Sequence, residues 1–60
     1  HLQGTVEFFT VTEGSVKIIN DGEEFILNKG DGIQFRGDVP HSYHNIADCQ
    51  STAYNIMYNP

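Results

Sequence analysis

Apolar and aromatic residues occur in short runs along this chain, and clusters of Gly, Asp, Asn and Pro separate the runs. The runs span residues 6–11, 16–19, 24–27, 32–35, 41–45 and 52–58. None of them continues into a stretch whose apolar positions repeat with the 3.6-residue period of a helix. Short β-rich runs bounded by frequent turn signals are typical of β-sandwiches and barrels. The pattern therefore predicts an all-β fold of antiparallel strands.

The strongest turn signal is the pair Asp21-Gly22, which lies between two β-rich runs. A two-residue type I′ turn needs a positive φ at both central positions, and Asp-Gly is one of the pairs that adopt it. We therefore predict a β-hairpin at this pair. Six short strands are too few to close a double sheet. We accordingly expect residues 1–60 to form one domain that is incomplete at its N-terminal side and is completed by preceding strands or by a partner subunit.

The charge balance is acidic, with eight Asp and Glu residues against three Lys and Arg and a net charge of -5. Non-specific DNA affinity comes from neutralising phosphates with basic side chains, so we expect no nucleic-acid contact by this segment. No apolar run approaches the roughly 18 residues that a membrane-spanning helix needs. Cys49 has no second cysteine to pair with, which is consistent with a reduced, cytoplasmic setting.

Side chains with metal-ligand chemistry occur at the start of the chain and again well downstream. His1, Gln3 and Glu7 would share one face if they lay on a single extended strand, because strand side chains alternate with period two. His41 lies in a segment punctuated by Gly, Asp and Pro. It can meet the carboxylate if the sheet curls back on itself. Imidazole and carboxylate ligands suit zinc, iron, nickel or manganese, so we predict a divalent metal site with Gln3 as its weakest ligand. The alternative is a metal-free polar pocket.

A small-molecule pocket is expected beside these residues. Phe9 has the same strand alternation as Glu7, and Tyr43 and Asn45 have that of His41. Ligand pockets are mostly apolar with a few placed polar groups, so we predict that these three residues contact a ligand. For Phe9 the alternative is ordinary core packing.

Two further residues are candidates for ligand binding. Arg36 is one of three cations and has the planar geometry to bind a ligand carboxylate through two hydrogen bonds, although a solvated turn position is the favoured alternative. Tyr54 lies in the last β-rich run, where the sequence does not decide which face is inside. We predict no catalytic residue in this segment.

The beginning of the chain resembles the first motif of the cupin superfamily, a family of small double-stranded β-helix barrels. That motif has the order His-x-His, three or four residues, Glu, six residues and Gly. His1, Glu7 and Gly14 match its first His, its Glu and its Gly. Gln3 stands where the second His is expected.

A second segment resembles the other cupin motif. Gly30, His41 and Asn45 match its Gly, His and Asn in register, whereas Arg36 and Asp38 replace its Pro and second Gly. Two imperfect motifs in the right order imply a cupin fold with the metal site at His1, Gln3, Glu7 and His41.

A narrower resemblance is to the C-terminal sensor cupins of bacterial helix-turn-helix transcriptional regulators of the XRE type. It rests on residues 1–7, 35–41 and 57–60. It implies a domain that binds a small-molecule effector. Unpaired sheet edges invite pairing with another chain, and dimeric regulators match the two-fold symmetry of their operators, so we predict a homodimer. DNA would be contacted through an N-terminal helix-turn-helix domain that is not among these 60 residues.

Two other functions remain open at this stage. A metal-dependent cupin enzyme, a dioxygenase or an isomerase, would use His1, Glu7 and His41 as an open ligand set. A storage-type or purely structural barrel would instead have a cavity packed shut with side chains.

Overall fold

The computed structural model describes residues 3–59, which form six β-strands and no helix. Accordingly, the described residues include no helix long and apolar enough to cross a membrane. The six predicted runs are confirmed, each to within two residues at its ends. The strands are β1 (Val6–Glu13), β2 (Ser15–Asn20), β3 (Glu23–Asn28), β4 (Gly32–Arg36), β5 (His41–Asn45) and β6 (Thr52–Tyr58).

The strands form two three-stranded antiparallel sheets, with the orders β4-β1-β6 and β3-β2-β5. The central strands β1 and β2 follow one another in sequence, and the chain crosses from one sheet to the other at Gly14. This residue has a φ of 79°, and a Cβ there would overlap the Ser51 side chain. Glycine is therefore required at this corner, where the backbone N–H of Ser15 donates to Ser51 Oγ at 3.0 Å.

The predicted hairpin joins β2 to β3. Asp21 and Gly22 have φ values of 50° and 85°, and the flanking residues Asn20 and Glu23 are paired, as a two-residue type I′ turn requires. The Asp21 N–H also donates to the carbonyl of Pro40 at 2.8 Å. The hairpin is thereby attached to the turn that leads into β5.

Alternation along the two central strands supplies most of the core. Phe9 and Val11 from β1 and Val16 and Ile18 from β2 face each other between the sheets and are buried. Leu27 and Phe35 complete the cluster, and Ile33 and Ala53 pack against it. The interior therefore has an apolar end beside the Gly14 corner. Its opposite end contains Glu7.

The expectation that β1 extends back through Gln3 is wrong. Gly4 has a φ of 88° and turns the chain, and Gln3 is exposed in that turn. Contacts with the β4–β5 turn hold this segment in place: the Gly4 N–H donates to Asp38 Oδ2 at 2.8 Å, and the Gly37 N–H donates to Thr5 O at 2.9 Å. Gln3 therefore does not share the inner face of β1 with Glu7.

Candidate functional site

Glu7 is the centre of a polar cluster inside the sandwich. Its side chain is 1% exposed although it is a carboxylate. Glu7 Oε1 accepts hydrogen bonds from the Tyr43 hydroxyl at 2.6 Å and from Asn55 Nδ2 at 2.7 Å. A buried charge is costly unless it is hydrogen-bonded, and bonds to an ionised acceptor are among the stronger ones. Glu7 on β1 therefore attracts polar side chains from β5 and β6 to one point.

His41 reaches the other carboxylate oxygen from the opposite sheet. Its Nε2 lies 3.3 Å from Glu7 Oε2, and its Nδ1 lies 2.8 Å from the Val39 carbonyl oxygen. A carbonyl only accepts hydrogen bonds, so Nδ1 carries the proton and Nε2 is the nitrogen directed at the carboxylate. The sequence expectation that His41 meets Glu7 agrees with this geometry.

Aromatic rings surround the polar cluster. The Phe9 and Tyr43 rings stack with centroids 4.9 Å apart, and His41 packs edge-on to Phe35 and Tyr43 at 5.7 Å each. Burial first, and then the hydrogen bond and the negative charge of Glu7, raise the pKa of Tyr43 above its usual range. The phenol consequently remains a hydrogen-bond donor at neutral pH.

The turn between β4 and β5 lies directly against the Glu7 carboxylate. A Cβ at Gly37 would overlap Glu7 Oε2, so the turn approaches this closely only because residue 37 is glycine. Next to it, Arg36 binds Asp38 through two hydrogen bonds, Nε to Oδ1 at 2.9 Å and Nη2 to Oδ2 at 2.8 Å. The Arg36 hydrogen bonds, followed by the Gly4 N–H, lower the pKa of Asp38 to about 2.

The cluster opens to solvent between β5 and β6, each of which is the last strand of its sheet. Tyr43 is 40% exposed, and Asn55 is also exposed. Met57 is paired with Glu7 and therefore shares its inner face, yet it is 47% exposed. A ligand approaching from this side meets a phenol, an amide and a thioether before it reaches the carboxylate.

Two of the predicted ligand-binding residues hold loops instead. The Arg36 guanidinium is engaged by Asp38 in the turn, as the alternative for this residue anticipated. Asn45 pairs with Val16 at the far end of β5. Its side chain accepts from the Ala47 N–H and the Ser51 hydroxyl and donates to the Cys49 carbonyl. Because Asn45 organises the β5–β6 loop, its prediction as a pocket residue is wrong.

Tyr54 is also misplaced by the sequence prediction. It pairs with Thr10, whereas the buried residue Phe9 pairs with Asn55. Directly opposed residues of an antiparallel pair share a face, so Tyr54 lies on the outside of the sandwich. Asn55, Met57 and Gly37 also belong to the site and were not predicted from the sequence. Neighbouring strand residues point to opposite faces, so Asn55 must lie inside if Tyr54 lies outside. This alternation was the indication of Asn55 that the sequence contained.

Two side chains with metal-ligand chemistry lie close together within residues 3–59. Glu7 Oε2 and His41 Nε2 are 3.3 Å apart, close enough for one divalent ion to bind both, and the Nδ1 contact with a backbone carbonyl is the usual way to orient a metal-binding imidazole. The described residues contain no group of three His, Cys, Asp or Glu side chains that could hold an ion. The predicted third ligand, His1, lies outside the described residues.

The fold agrees with the comparisons with known proteins. The family model described as "Cupin domain" matches residues 1–57, and the chain therefore belongs to the cupin family. The chain is also 32% identical over all 60 residues to the HTH-type transcriptional regulator SutR of Escherichia coli (strain K12). It spans 34% of that relative's length. No solved structure matches the chain at a significant level.

Proposed function

We propose that this cupin is the effector-sensing domain of a homodimeric, cytoplasmic bacterial transcriptional regulator. Its similarity along the whole chain to a helix-turn-helix regulator carries the proposal. DNA is contacted by a helix-turn-helix domain elsewhere in the protein, which fits the net charge of -5 in this segment. The domain itself performs no catalysis.

The effector binds at the open end of the Glu7 cluster. The exposed groups there are Tyr43, Asn55 and Met57, a combination of hydrogen-bonding and apolar surface that is typical of small-molecule sites. Two of these residues already bond to Glu7 Oε1. An effector with hydrogen-bond donors competes for that oxygen and shifts both side chains.

The β4–β5 turn provides a route from the site to the segment that precedes β1. His41 is anchored to Val39 within this turn, and Asp38 in the same turn binds the Gly4 N–H. A change at His41 is thereby transmitted to Gly4. An effector transmits a signal only by binding two arrangements with different affinity, and coupling energies of about 1–3 kcal/mol correspond to roughly 5–150-fold changes in DNA affinity.

The test is DNA binding by the complete regulator, on a site selected in vitro, with and without candidate metabolites. Tyr43→Ala is the site variant, and His44→Ala, an exposed ring on the opposite face of the same strand, is the matched control. We expect one metabolite to change DNA affinity in the wild type and the control but much less in Tyr43→Ala. If no metabolite changes DNA affinity, or if both variants respond alike, the sensing proposal fails.

We further propose that a divalent metal, zinc, iron, nickel or manganese, binds to His1, Glu7 and His41. The Nδ1 contact of His41 supports this assignment because it leaves Nε2 directed at Glu7. When bound, the ion would supply a Lewis acid beside the effector. Metal content of protein purified without chelator should fall in His41→Ala and remain in His44→Ala, whose imidazole is exposed on the opposite face of β5. Equal metal content in both variants would exclude His41 as a ligand.

The metal-dependent enzyme, a dioxygenase or isomerase, is the second candidate because the same two donors suit it. Turnover of a metabolite that is lost in His41→Ala but retained in His44→Ala would establish the enzyme and overturn the sensor without catalysis.

A further inference from the structure

Four large side chains form an exposed apolar surface on the outside of the β4-β1-β6 sheet, here called the outer face. They are Phe8, Tyr54, Ile56 and Tyr58, with 40%, 54%, 58% and 58% of their surface exposed, respectively. Phe8 is paired with Ile56, and the two tyrosines flank that isoleucine on β6. The four side chains are therefore neighbours on two adjacent strands.

The centre of this face has no charge. One cross-strand row consists of Gln34, Phe8 and Ile56, and the next consists of Gly32, Thr10 and Tyr54. In a chain with eight carboxylates, both rows are free of them. Arg36 borders the face, and its guanidinium is already paired with Asp38.

The outer face of the other sheet is different. Lys17 on β2 forms an ion pair with Glu24 on β3 at 3.5 Å. On its other side, Lys17 lies opposite the exposed His44 of β5. Ile26 is exposed there as well, and Ile19 is half-buried on the same face, but Lys17 and Glu24 lie beside them. Only the β4-β1-β6 sheet presents a continuous apolar surface among the described residues.

We propose that the outer face of β4-β1-β6 packs against the same face of a second copy of this chain, forming the dimer interface of the regulator. The inference rests on the homodimer of the proposed function and names its surface. Two copies with a net charge of -5 each repel one another. The electrostatic repulsion between the two copies is smallest when they associate through a surface without carboxylates. A basic partner, by contrast, would bind an acidic surface.

The four side chains are large enough to form the apolar centre of such an interface. A stable interface buries about 800 Å² on each partner, and homodimer interfaces are about 65% apolar. Large aromatic side chains bury about 150–250 Å² each, so Phe8, Tyr54 and Tyr58 at about half exposure supply on the order of 300 Å², and Ile56 adds to this area. The polar rows around them, including Thr10 and Gln34, supply a rim. In a two-fold dimer each copy contributes the same residues.

The first experiment is the mass of the complete protein in solution, without DNA or effector, measured by sedimentation equilibrium. Ile56→Arg is the interface variant, and Ile26→Arg is the matched control, because both isoleucines are about equally exposed on outer sheet faces. We expect a dimer for the wild type and the control and at least roughly 30-fold weaker dimerisation for Ile56→Arg, the effect of an interface hot spot. A monomeric wild type, or a dimeric Ile56→Arg variant, would overturn the proposal.

A second measurement identifies the occupant of the face. Mixing Ile56→Arg with Ile56→Glu should restore the dimer mass, because the interface then contains one positive and one negative charge and not two like charges. If the two variants stay monomeric when mixed, the face is covered by something other than a second copy. Should the arginine variant not fold, the milder Ile56→Gln replaces it in the mass measurement, with Ile26→Gln as control. Failure of effector sensing leaves this result unaffected, because neither DNA nor effector is present.

Discussion

The two ends of the sandwich interior are built from the same strands but have opposite chemistry. At one end of β1 Val11 is fully buried among apolar side chains. At the other end Glu7 is as deeply buried and is surrounded by Tyr43, Asn55 and His41. Buried and outward-facing side chains alternate along β1 in the same way at both ends. The apolar end contributes hydrophobic burial, whereas the polar end places hydrogen-bonding groups next to an opening.

The position of the opening explains this difference. The polar end is open between the sheet edges β5 and β6, where inner-facing side chains remain exposed. The apolar end is closed at the Gly14 corner, where Ser51 packs against the backbone. We therefore expect substitutions at the apolar end to act on stability. Substitutions at the polar end should act mainly on binding.

The largest expected effect is at the apolar core. Ile18→Ala removes a fully buried side chain of β2 and should lower the free energy of unfolding by about 2–5 kcal/mol. Ile19→Ala, on the outer side of the same strand, is the control and should cost less. Urea unfolding of the complete protein measures both. Equal losses would show that the inner face of β2 is not the main source of stability.

At the polar end Glu7→Ala should cost about 1–3 kcal/mol, because Tyr43 and Asn55 lose a common acceptor. Glu7→Gln retains the Oε1 acceptor and directs an amide donor at His41 Nε2, so it should be nearly neutral for stability. The same variant should lose metal binding, because the carboxylate charge is gone. Urea unfolding and metal analysis separate the two effects. A strongly destabilised Glu7→Gln would show that the contact with His41 requires the carboxylate.

The close approach of the β4–β5 turn to the carboxylate predicts a coupling between two positions. Gly37→Ala places a methyl group against Glu7 Oε2 and should cost about 1–3 kcal/mol, as overpacking does. In a Glu7→Ala background the same change should cost much less, because the overlapping atoms are absent. A double-mutant cycle measures this difference. Additive changes in the free energy of unfolding would show that Gly37→Ala does not destabilise the protein through its contact with Glu7.

Tyr43→Phe should have a smaller effect at neutral pH, about 1 kcal/mol for one hydrogen bond. Because the folded state raises the pKa of Tyr43, its contribution is complete below the unfolded value of about 10. It is lost as the pH rises above that value. Stability should therefore fall less steeply in alkali for Tyr43→Phe than for the control Tyr54→Phe. Parallel alkaline unfolding curves would contradict the prediction.

The smallest effect concerns the pair formed by the exposed Arg36 and the largely buried side chain of Asp38. The hydrogen bonds from Arg36 and from the Gly4 N–H lower the pKa of Asp38 to about 2. The contribution of Asp38 to stability is therefore present at neutral pH and disappears as the pH falls from about 4 towards 2. Asp38→Asn should remove this part of the acid dependence, whereas Asp48→Asn, in the β5–β6 loop, should not. Acid titration followed by circular dichroism distinguishes them. Identical curves for both variants would exclude a role for the pair.

Much of the fold could be predicted from local sequence patterns. The six strands and the hairpin at Asp21-Gly22 follow from alternation and from the positive φ values that this turn requires. The two cupin motifs also indicated that Glu7 and His41 belong together. Gln3 was misplaced because Gly4 turns the chain before β1 begins, and a single glycine does not reveal from sequence alone whether it adopts that conformation.

The parity of each strand, that is, which residues share a face, can be read from local alternation along the chain. Which of the two faces points inward depends on how the strands pair and pack. In β6 the pairing of Asn55 with the buried Phe9 places the amide at the Glu7 cluster and Tyr54 outside. The physical reason is that a strand's period of two is a local property of the backbone. Its inner face depends on the register with distant strands and on the burial they provide.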